Sequence, residues 1–180
     1  MGNLGRFRPF RCPILFDKMG ASPNAIAANR KTSTIYVSNG GGSSVSVIDG
    51  RTGTVTATIP VSGGGLDGIA VNRRTNSIYV TSALQNTVSV ISGQTNTVTA
   101  TVPVGFQPTG IAANRKANTI YAANVGAGTV SVISGRTNTV EATIPVGSAP
   151  FGVATNPKTN TAYVTNLGDS TVSVLAPCPN

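Results

Sequence analysis

The chain has 180 residues, a formal net charge of +8 at pH 7, and no histidine or tryptophan. Its length allows one domain or at most two small ones, and a hydrophobic content of 39% excludes a disordered chain. The lack of histidine removes the imidazole of Ser–His and Cys–His pairs and the commonest protein ligand of zinc. The five acidic residues are scattered, so we expect no metal site, no cofactor and no enzymatic activity.

A unit of about 42 residues repeats four times along the chain. Its clearest marker is a tyrosine, at Tyr36, Tyr79, Tyr121 and Tyr163. Each unit contains four short segments rich in Val, Ile and Thr, several of them alternating with the period of two that is typical of strands. Asp-Gly, Ser-Gly, Thr-Asn and Gly-Gly steps separate these segments and predict tight turns.

The four predicted strands follow one another in the same order in every unit. The first has the pattern Gly-Ile-Ala-x-Asn, as at 68–72 and 110–114. The second contains the tyrosine, as at 35–38, 78–81 and 162–165. The third reads Val-Ser-Val-Ile or Val-Ser-Val-Leu, at 45–48, 88–91, 130–133 and 172–175. The fourth reads Thr-Val-Thr-Ala-Thr-Ile-Pro-Val or a close copy, at 54–61, 97–104 and 139–146.

Four antiparallel strands within about 42 residues, repeated in tandem, are typical of a propeller blade. A β-helix would have shorter coils, and a sandwich would not repeat its sequence so faithfully. The sequence therefore predicts an all-β fold, a β-propeller of four-stranded blades. We expect a single domain over residues 14–180, preceded by a basic segment at 1–13.

The tyrosine segments carry a family resemblance. Residues 163–166 read Tyr-Val-Thr-Asn, 36–39 and 79–82 are near variants, and 121–124 is looser. With Asn-Thr-Val-Ser-Val-Ile and Thr-Ile-Pro-Val-Gly, these segments resemble the YVTN-type β-propeller repeat family over roughly residues 20–175. The resemblance implies a bacterial or archaeal protein, often exported or surface-associated, usually with about seven blades.

Four repeats leave two alternatives, a closed ring or a partial arc completed by oligomerisation. Residues 14–19 occupy the place of a fourth strand and could complete the last blade from the other end of the chain. Small strand residues favour a larger ring, formed by a homodimer or by a longer seven- or eight-bladed propeller of which this chain is a fragment. Cys12 and Cys178 flank the junction, where a disulfide and two free thiols both remain open.

Antiparallel order places the first–second and third–fourth turns of a blade at the same end. Nine cations fall in these turns: Arg30, Lys31, Arg51, Arg73, Arg74, Arg115, Lys116, Arg136 and Lys158. This predicts a face that binds a polyanion, such as nucleic acid or an anionic cell-wall polymer, mainly through backbone charge because these turns contain no aromatic residue. The alternative is that the cations only make the surface soluble.

The sequence thus favours a non-enzymatic binding or scaffold module for a protein or a polyanion. The alternatives are a fragment of a larger propeller, or an enzyme similar to the lactonase-like and redox-associated propellers. No apolar run is long enough to span a membrane. The N-terminus lacks the apolar core of a signal peptide, whereas the family resemblance points to an extracellular or cell-surface location, so the compartment stays open.

Overall fold

The computed structural model describes residues 19–177, which form fifteen β-strands and no helix. The first sheet contains β1 (Pro23–Asn29), β2 (Thr34–Asn39), β3 (Ser44–Asp49) and β4 (Val55–Pro60). The second contains β5 (Leu66–Asn72), β6 (Ser77–Ser82), β7 (Thr87–Ser92) and β8 (Thr97–Pro103). The third contains β9 (Pro108–Asn114), β10 (Thr119–Asn124), β11 (Thr129–Ser134) and β12 (Val140–Pro145). The fourth contains β13 (Pro150–Asn156), β14 (Thr161–Asn166) and β15 (Thr171–Leu175).

Every sheet is an antiparallel meander in which strands that follow one another in sequence pair side by side. In the second sheet, for example, Tyr79 lies opposite Ala70 on one side and Val90 on the other. Tight turns join the strands, and several end on an asparagine with a positive φ of 55–58°, a conformation that asparagine tolerates better than most residues. The four-stranded repeat predicted from the sequence is confirmed, and the fold is that of propeller blades.

The sheets stack through two kinds of face, which the alternation of strand side chains defines. The tyrosine face of each sheet carries the repeated tyrosine and two valines of its third strand; in the first sheet these are Tyr36, Val45 and Val47. The isoleucine face carries the residues between them, such as Ile78, Val80 and Ile91 of the second sheet. The tyrosine face of the first sheet packs on the isoleucine face of the second in one buried cluster.

The same pairing recurs along the chain. Tyr79 and its neighbours pack on Ile120 and Ile133 of the third sheet, and Tyr121 packs on Val164 of the fourth. Each interface is a continuous apolar core, so neighbouring sheets stabilise one another as repeats do in other tandem folds. The repeated tyrosine therefore packs between neighbouring sheets at three of its four positions.

The first strand of each sheet is its inner strand. Strands β1, β5, β9 and β13 pack in that order and make the closest contacts between sheets. Within residues 19–177 no comparable packing joins β13 back to β1, so these sheets form an arc rather than a closed ring. The fourth sheet has three strands in this range, with β15 at its outer edge.

Three predictions for the two ends of the chain fall largely on residues that the structure does not describe. Of the predicted strand at 14–19, the structure describes Met19 alone, which is not in a strand. Cys12 and Cys178 both lie outside residues 19–177, as does the basic segment 1–13. Across the described part of the chain, no helix has the length and apolar character needed to cross a membrane.

Candidate anion-binding surface

The turns β1–β2, β5–β6, β9–β10 and β13–β14 each begin after an asparagine that ends an inner strand. The side-chain Oδ1 of this asparagine accepts a hydrogen bond from the backbone N–H two residues later. The donors are Lys31, Arg74 and Lys116, each at 3.1 Å, and Lys158 at 3.0 Å. These Asx turns fix the backbone of a basic residue in every repeat.

The same asparagines also link one sheet to the next. Asn29 Nδ2 donates to Asn76 Oδ1 at 2.7 Å. Asn72 repeats the contact with Asn118 at 2.6 Å, and Asn114 repeats it with Asn160 at 2.7 Å. Asn29, Asn72 and Asn114 are each no more than 1% exposed, so this asparagine ladder is a buried polar connection under the basic turns. It fixes the position of each turn relative to its neighbours.

The inner turns bring five cations around one cavity of about 440 Å³. Its lining residues are Arg30 and Lys31 of the first sheet, Arg73 and Arg74 of the second, and Arg115 of the third. We call the cavity that these five residues line the basic cavity. The volume is within the range of small-ligand sites, and its opening lies where the inner strands end.

None of the five cations that line the basic cavity forms an ion pair with a carboxylate of residues 19–177. Their positive charge is therefore not neutralised by the described part of the chain. Arg74 Nη1 donates to the backbone carbonyl of Lys116 at 3.1 Å, which joins the second and third sheets. A cluster of one sign of charge in a concave site focuses the electrostatic potential and attracts anions. The arrangement can therefore bind negative charge without first breaking an internal salt bridge.

The structure separates the nine predicted cations into two groups. Five line the basic cavity. Lys116 lies beside it, in a smaller cleft with Ala117 and Asn160. Arg51 and Arg136 follow third strands and lie toward the outside of the arc, and Lys158 belongs to the fourth sheet; none of these three lines the basic cavity. In the strand order of the sheets, all nine lie in first–second or third–fourth turns.

The opposite end of the arc carries a half-buried carboxylate. Asp67, the second residue of β5, accepts a hydrogen bond from Asn24 Nδ2 at 2.9 Å. Burial raises the pKa of the Asp67 carboxyl, and the hydrogen bond from Asn24 offsets part of this rise. Burial between the sheets also raises the pKa of Tyr36, Tyr79 and Tyr121.

Sequence reasoning missed the asparagine ladder, although its signal was present. Asn29, Asn72, Asn114 and Asn156 recur with the repeat, as do Asn76, Asn118 and Asn160 in the following turns. The spacing shows that these residues are equivalent, but it does not show that one sheet's asparagine reaches the next sheet's turn. In residues 19–177, no group of three or more metal-ligating side chains comes together.

The stacked four-stranded antiparallel sheets define a β-propeller protein, and comparison with known proteins gives the family. Residues 8–119 match the sequence profile of the YNCE-like beta-propellers, and the chain belongs to this family. A search of curated proteins found no match.

Two solved structures illustrate the structural likeness. Hydrazine synthase of Kuenenia stuttgartiensis is 26% identical, with a TM-score of 0.78, over 88% of this chain and 46% of that one. U3-55K is 14% identical, with a TM-score of 0.68, over 87% of this chain and 52% of its own, and shows the fold alone. The chain thus spans about half the length of these structures.

Proposed function

We propose that this chain is a non-enzymatic binding module of the YVTN type whose basic cavity and surrounding turns bind polyanions. The observation that carries the proposal is the convergence of five cations from three sheets on one cavity, with no carboxylate of residues 19–177 paired to them. The absence of histidine in the whole sequence supports a role in binding rather than in catalysis.

The chemistry of the turns indicates which part of a polyanion is recognised. The cavity is lined by guanidinium and ammonium groups, and none of its lining residues within 19–177 is an aromatic side chain on which a base could stack. Guanidinium groups pair with phosphate or sulfate oxygens in a planar, bidentate geometry. We therefore expect contacts with repeated phosphates or sulfates, with little discrimination between base sequences and with strong dependence on salt.

The test is binding of three probes to the full chain: duplex DNA, inorganic polyphosphate and heparin. Fluorescence anisotropy or calorimetry at increasing salt gives the affinity and its salt dependence. If about five phosphates are neutralised on DNA, log K should fall with log salt with a slope of about −4.5. If no probe binds at low ionic strength, the proposal is wrong.

A matched pair of variants locates the site. The double variant Arg73→Gln/Arg115→Gln removes two charges from the basic cavity, and Arg51→Gln/Arg136→Gln removes two from the outer turns. The side chains of all four arginines form no hydrogen bond within residues 19–177, so neither variant should unfold the chain. The first should reduce the salt slope by about 2 and the affinity about tenfold, with the second much less affected. Equal losses would indicate diffuse surface charge instead of a site.

A scaffold role for a protein partner is a second candidate. The β2–β3, β6–β7, β10–β11 and β14–β15 turns lie at the end opposite the basic cavity. Large exposed side chains near these turns include Leu84 at 74% and Leu167 at 62%. Exposed leucines on two of these loops suit contact with a protein better than contact with a polyanion. Pull-down with a Leu84→Ser/Leu167→Ser variant as control would test this candidate separately.

A further inference from the structure

The tyrosine face of the fourth sheet lacks the cover that the other three tyrosine faces have. Tyr36, Tyr79 and Tyr121 are 1%, 0% and 8% exposed, whereas Tyr163 is 40% exposed. The valines beside it follow the same trend. Val45, Val88 and Val130 are fully buried, and their equivalent Val172 is 56% exposed, next to Val174 at 58%.

These exposed residues border a shallow apolar groove of about 370 Å³. Its lining includes Gly152, Ala154, Tyr163, Thr165 and Val172, from all three strands of the sheet. In each of the first three sheets, the corresponding surface is filled by the isoleucine face of the following sheet. The shape and chemistry of the groove are thus those of an interface that this chain already forms three times.

Unused hydrogen-bond donors lie on the same face. Ser38 Oγ and Thr81 Oγ1 each donate to a backbone carbonyl on the next sheet's inner strand, those of Asp67 and Thr109, both at 2.7 Å. Thr165 occupies the equivalent position and accepts from Gly152 N at 2.9 Å, but its hydroxyl hydrogen has no acceptor within residues 19–177.

The asparagine ladder also ends at this face. Asn156 Oδ1 accepts from Lys158 N, as its equivalents do in the other turns. Its Nδ2, which in Asn29, Asn72 and Asn114 donates to the next sheet, has no acceptor within the described residues. At the start of the chain, Ser33 stands where the later sheets have the accepting asparagine, with the same positive φ of 54°.

The first sheet offers part of the complementary surface. Ile26 occupies the position of Ile69 and Ile111, which are 7% and 8% exposed under the preceding sheet, yet Ile26 is 67% exposed. Val37 and Ile48, in the middle of the same face, are each 7% exposed, so the accessible part is the inner strand β1. Inner strands make the closest contacts between sheets in all three existing interfaces.

We propose that the tyrosine face of the fourth sheet binds the first sheet of a second copy of this chain, so that two arcs form one ring of eight sheets. The second copy's β1 would pack on Tyr163 and Val172, with its Ile26 in the groove. Thr165 would donate to the carbonyl of the second copy's Asn24, and Asn156 to its Ser33. Because each copy presents both halves of the interface, two identical head-to-tail contacts close the ring.

The experiment is sedimentation velocity or light scattering of the full chain, whose mass is 18.1 kDa, over a range of protein concentration. We expect a concentration-dependent species of two copies. Since each copy carries a charge of +8, raising the salt concentration should strengthen this association by screening repulsion. The same change weakens polyanion binding, so the two proposals can fail independently. A single-copy mass up to about 100 μM, or a mass beyond two copies, would overturn the ring.

Two variants test the head-to-tail geometry, one on each side of the interface. Ile26→Glu and Val174→Lys should each raise the dissociation constant at least about tenfold, because each places a charge in an apolar contact. Both side chains are exposed in one copy, so the folded chain should tolerate them, which circular dichroism checks. Val98→Glu, at a 38% exposed valine on the outer strand β8, is the control and should associate like the natural chain.

Mixing the variants separates this ring from other dimers. An equimolar mixture of Ile26→Glu and Val174→Lys should recover association, because one natural contact forms and the other places Glu opposite Lys. If Val174→Lys disrupts the dimer and Ile26→Glu does not, the copies meet through their fourth sheets alone and the proposal is wrong. If neither variant disrupts it, the interface lies elsewhere and the proposal is equally wrong.

Discussion

The second and fourth sheets have closely similar sequences and differ mainly in what lies beside them. Tyr79 and Tyr163 hold the same repeat position, yet the first is fully buried and the second is 40% exposed. Val88 and Val172 differ in the same way, at 0% and 56%. The burial of a side chain in this fold is therefore a property of the pair of sheets, as expected for a tandem repeat in which stability depends on nearest neighbours.

The largest expected difference concerns the tyrosines themselves. Tyr79→Ala leaves a cavity between the second and third sheets. It also removes the hydrogen bond from the Tyr79 hydroxyl to Asn138 Oδ1, which is 3.1 Å long. We expect a loss of about 3–5 kcal/mol in the free energy of unfolding. Tyr163→Ala removes an exposed side chain and should cost less than about 1 kcal/mol. Urea denaturation followed by circular dichroism, at low protein concentration, measures both.

The low concentration keeps the second copy out of the comparison. If Tyr163→Ala destabilises the dilute chain as much as Tyr79→Ala, then the fourth tyrosine face is covered in the single chain. That outcome would remove the contrast between the two sheets, and with it the reason for a docking partner.

A glycine on the inner strands provides a second comparison. A Cβ added at Gly110 would collide with the backbone carbonyl oxygen of Phe151 on the next inner strand. At Gly152, the same repeat position, the nearest atom is Thr165 Oγ1 at 3.1 Å, within its own sheet. Gly110→Ala should cost about 2–3 kcal/mol, since a backbone atom must shift, and Gly152→Ala less than about 1 kcal/mol.

The Gly152→Ala variant has a second use. If another sheet docks on the fourth as the fourth docks on the third, the added methyl should weaken self-association while leaving the stability of the dilute chain nearly unchanged. Thermal unfolding and sedimentation on the same sample test both statements. Equal stability losses at Gly110 and Gly152 would contradict the difference between the two inner strands.

The sequence predicted the fold well because the local pattern and the repeat agree with each other. Period-two alternation identified the strands, and the structure places the second-strand segment 78–81 within Ser77–Ser82. Antiparallel order was enough to sort the nine cations to one end, because it fixes which turns share an end whatever the packing.

The site was less predictable because it depends on contacts between sheets. Arg51 and Arg73 look equivalent in the sequence, as basic residues in turns of the same end. Their positions in the structure differ because Arg73 follows the inner strand β5, whereas Arg51 precedes the outer strand β4. The packing between sheets decides which strands are inner and which are outer. The reach of Asn72 to Asn118 likewise depends on the spacing between sheets, which no residue pattern within one repeat specifies.

The asparagine ladder gives the third comparison. Asn72→Ala removes the hydrogen bond to Asn118 and the Asx turn at Arg74 from a fully buried position. We expect a loss of about 1–2 kcal/mol, because Asn118 Oδ1 loses its donor. Asn156→Ala removes the turn contact to Lys158 alone and should cost about half as much. Denaturant midpoints of the two variants measure the difference; the same loss in both would show that the inter-sheet bond contributes nothing.

The smallest expected change in stability tests how well the interface between the first and second sheets excludes water. Asp67 contacts Asn24 across the first two sheets, and burial raises the pKa of its carboxyl above the ordinary value of 3.8. The folded chain therefore binds this proton more tightly than the unfolded chain, and ionisation of Asp67 costs stability as the pH rises through the folded pKa.

Asp67→Asn removes this cost and places at 67 the residue that the first repeat has at Asn24. It should stabilise the chain at pH 7 by less than about 1 kcal/mol, because the group is only half-buried, and leave stability unchanged near pH 3. Urea midpoints at both pH values measure this, with Glu141→Gln on the exposed outer strand β12 as control. A loss of stability at pH 7 would mean that the carboxylate is solvated and that the first interface is as open at this end as the fourth sheet is.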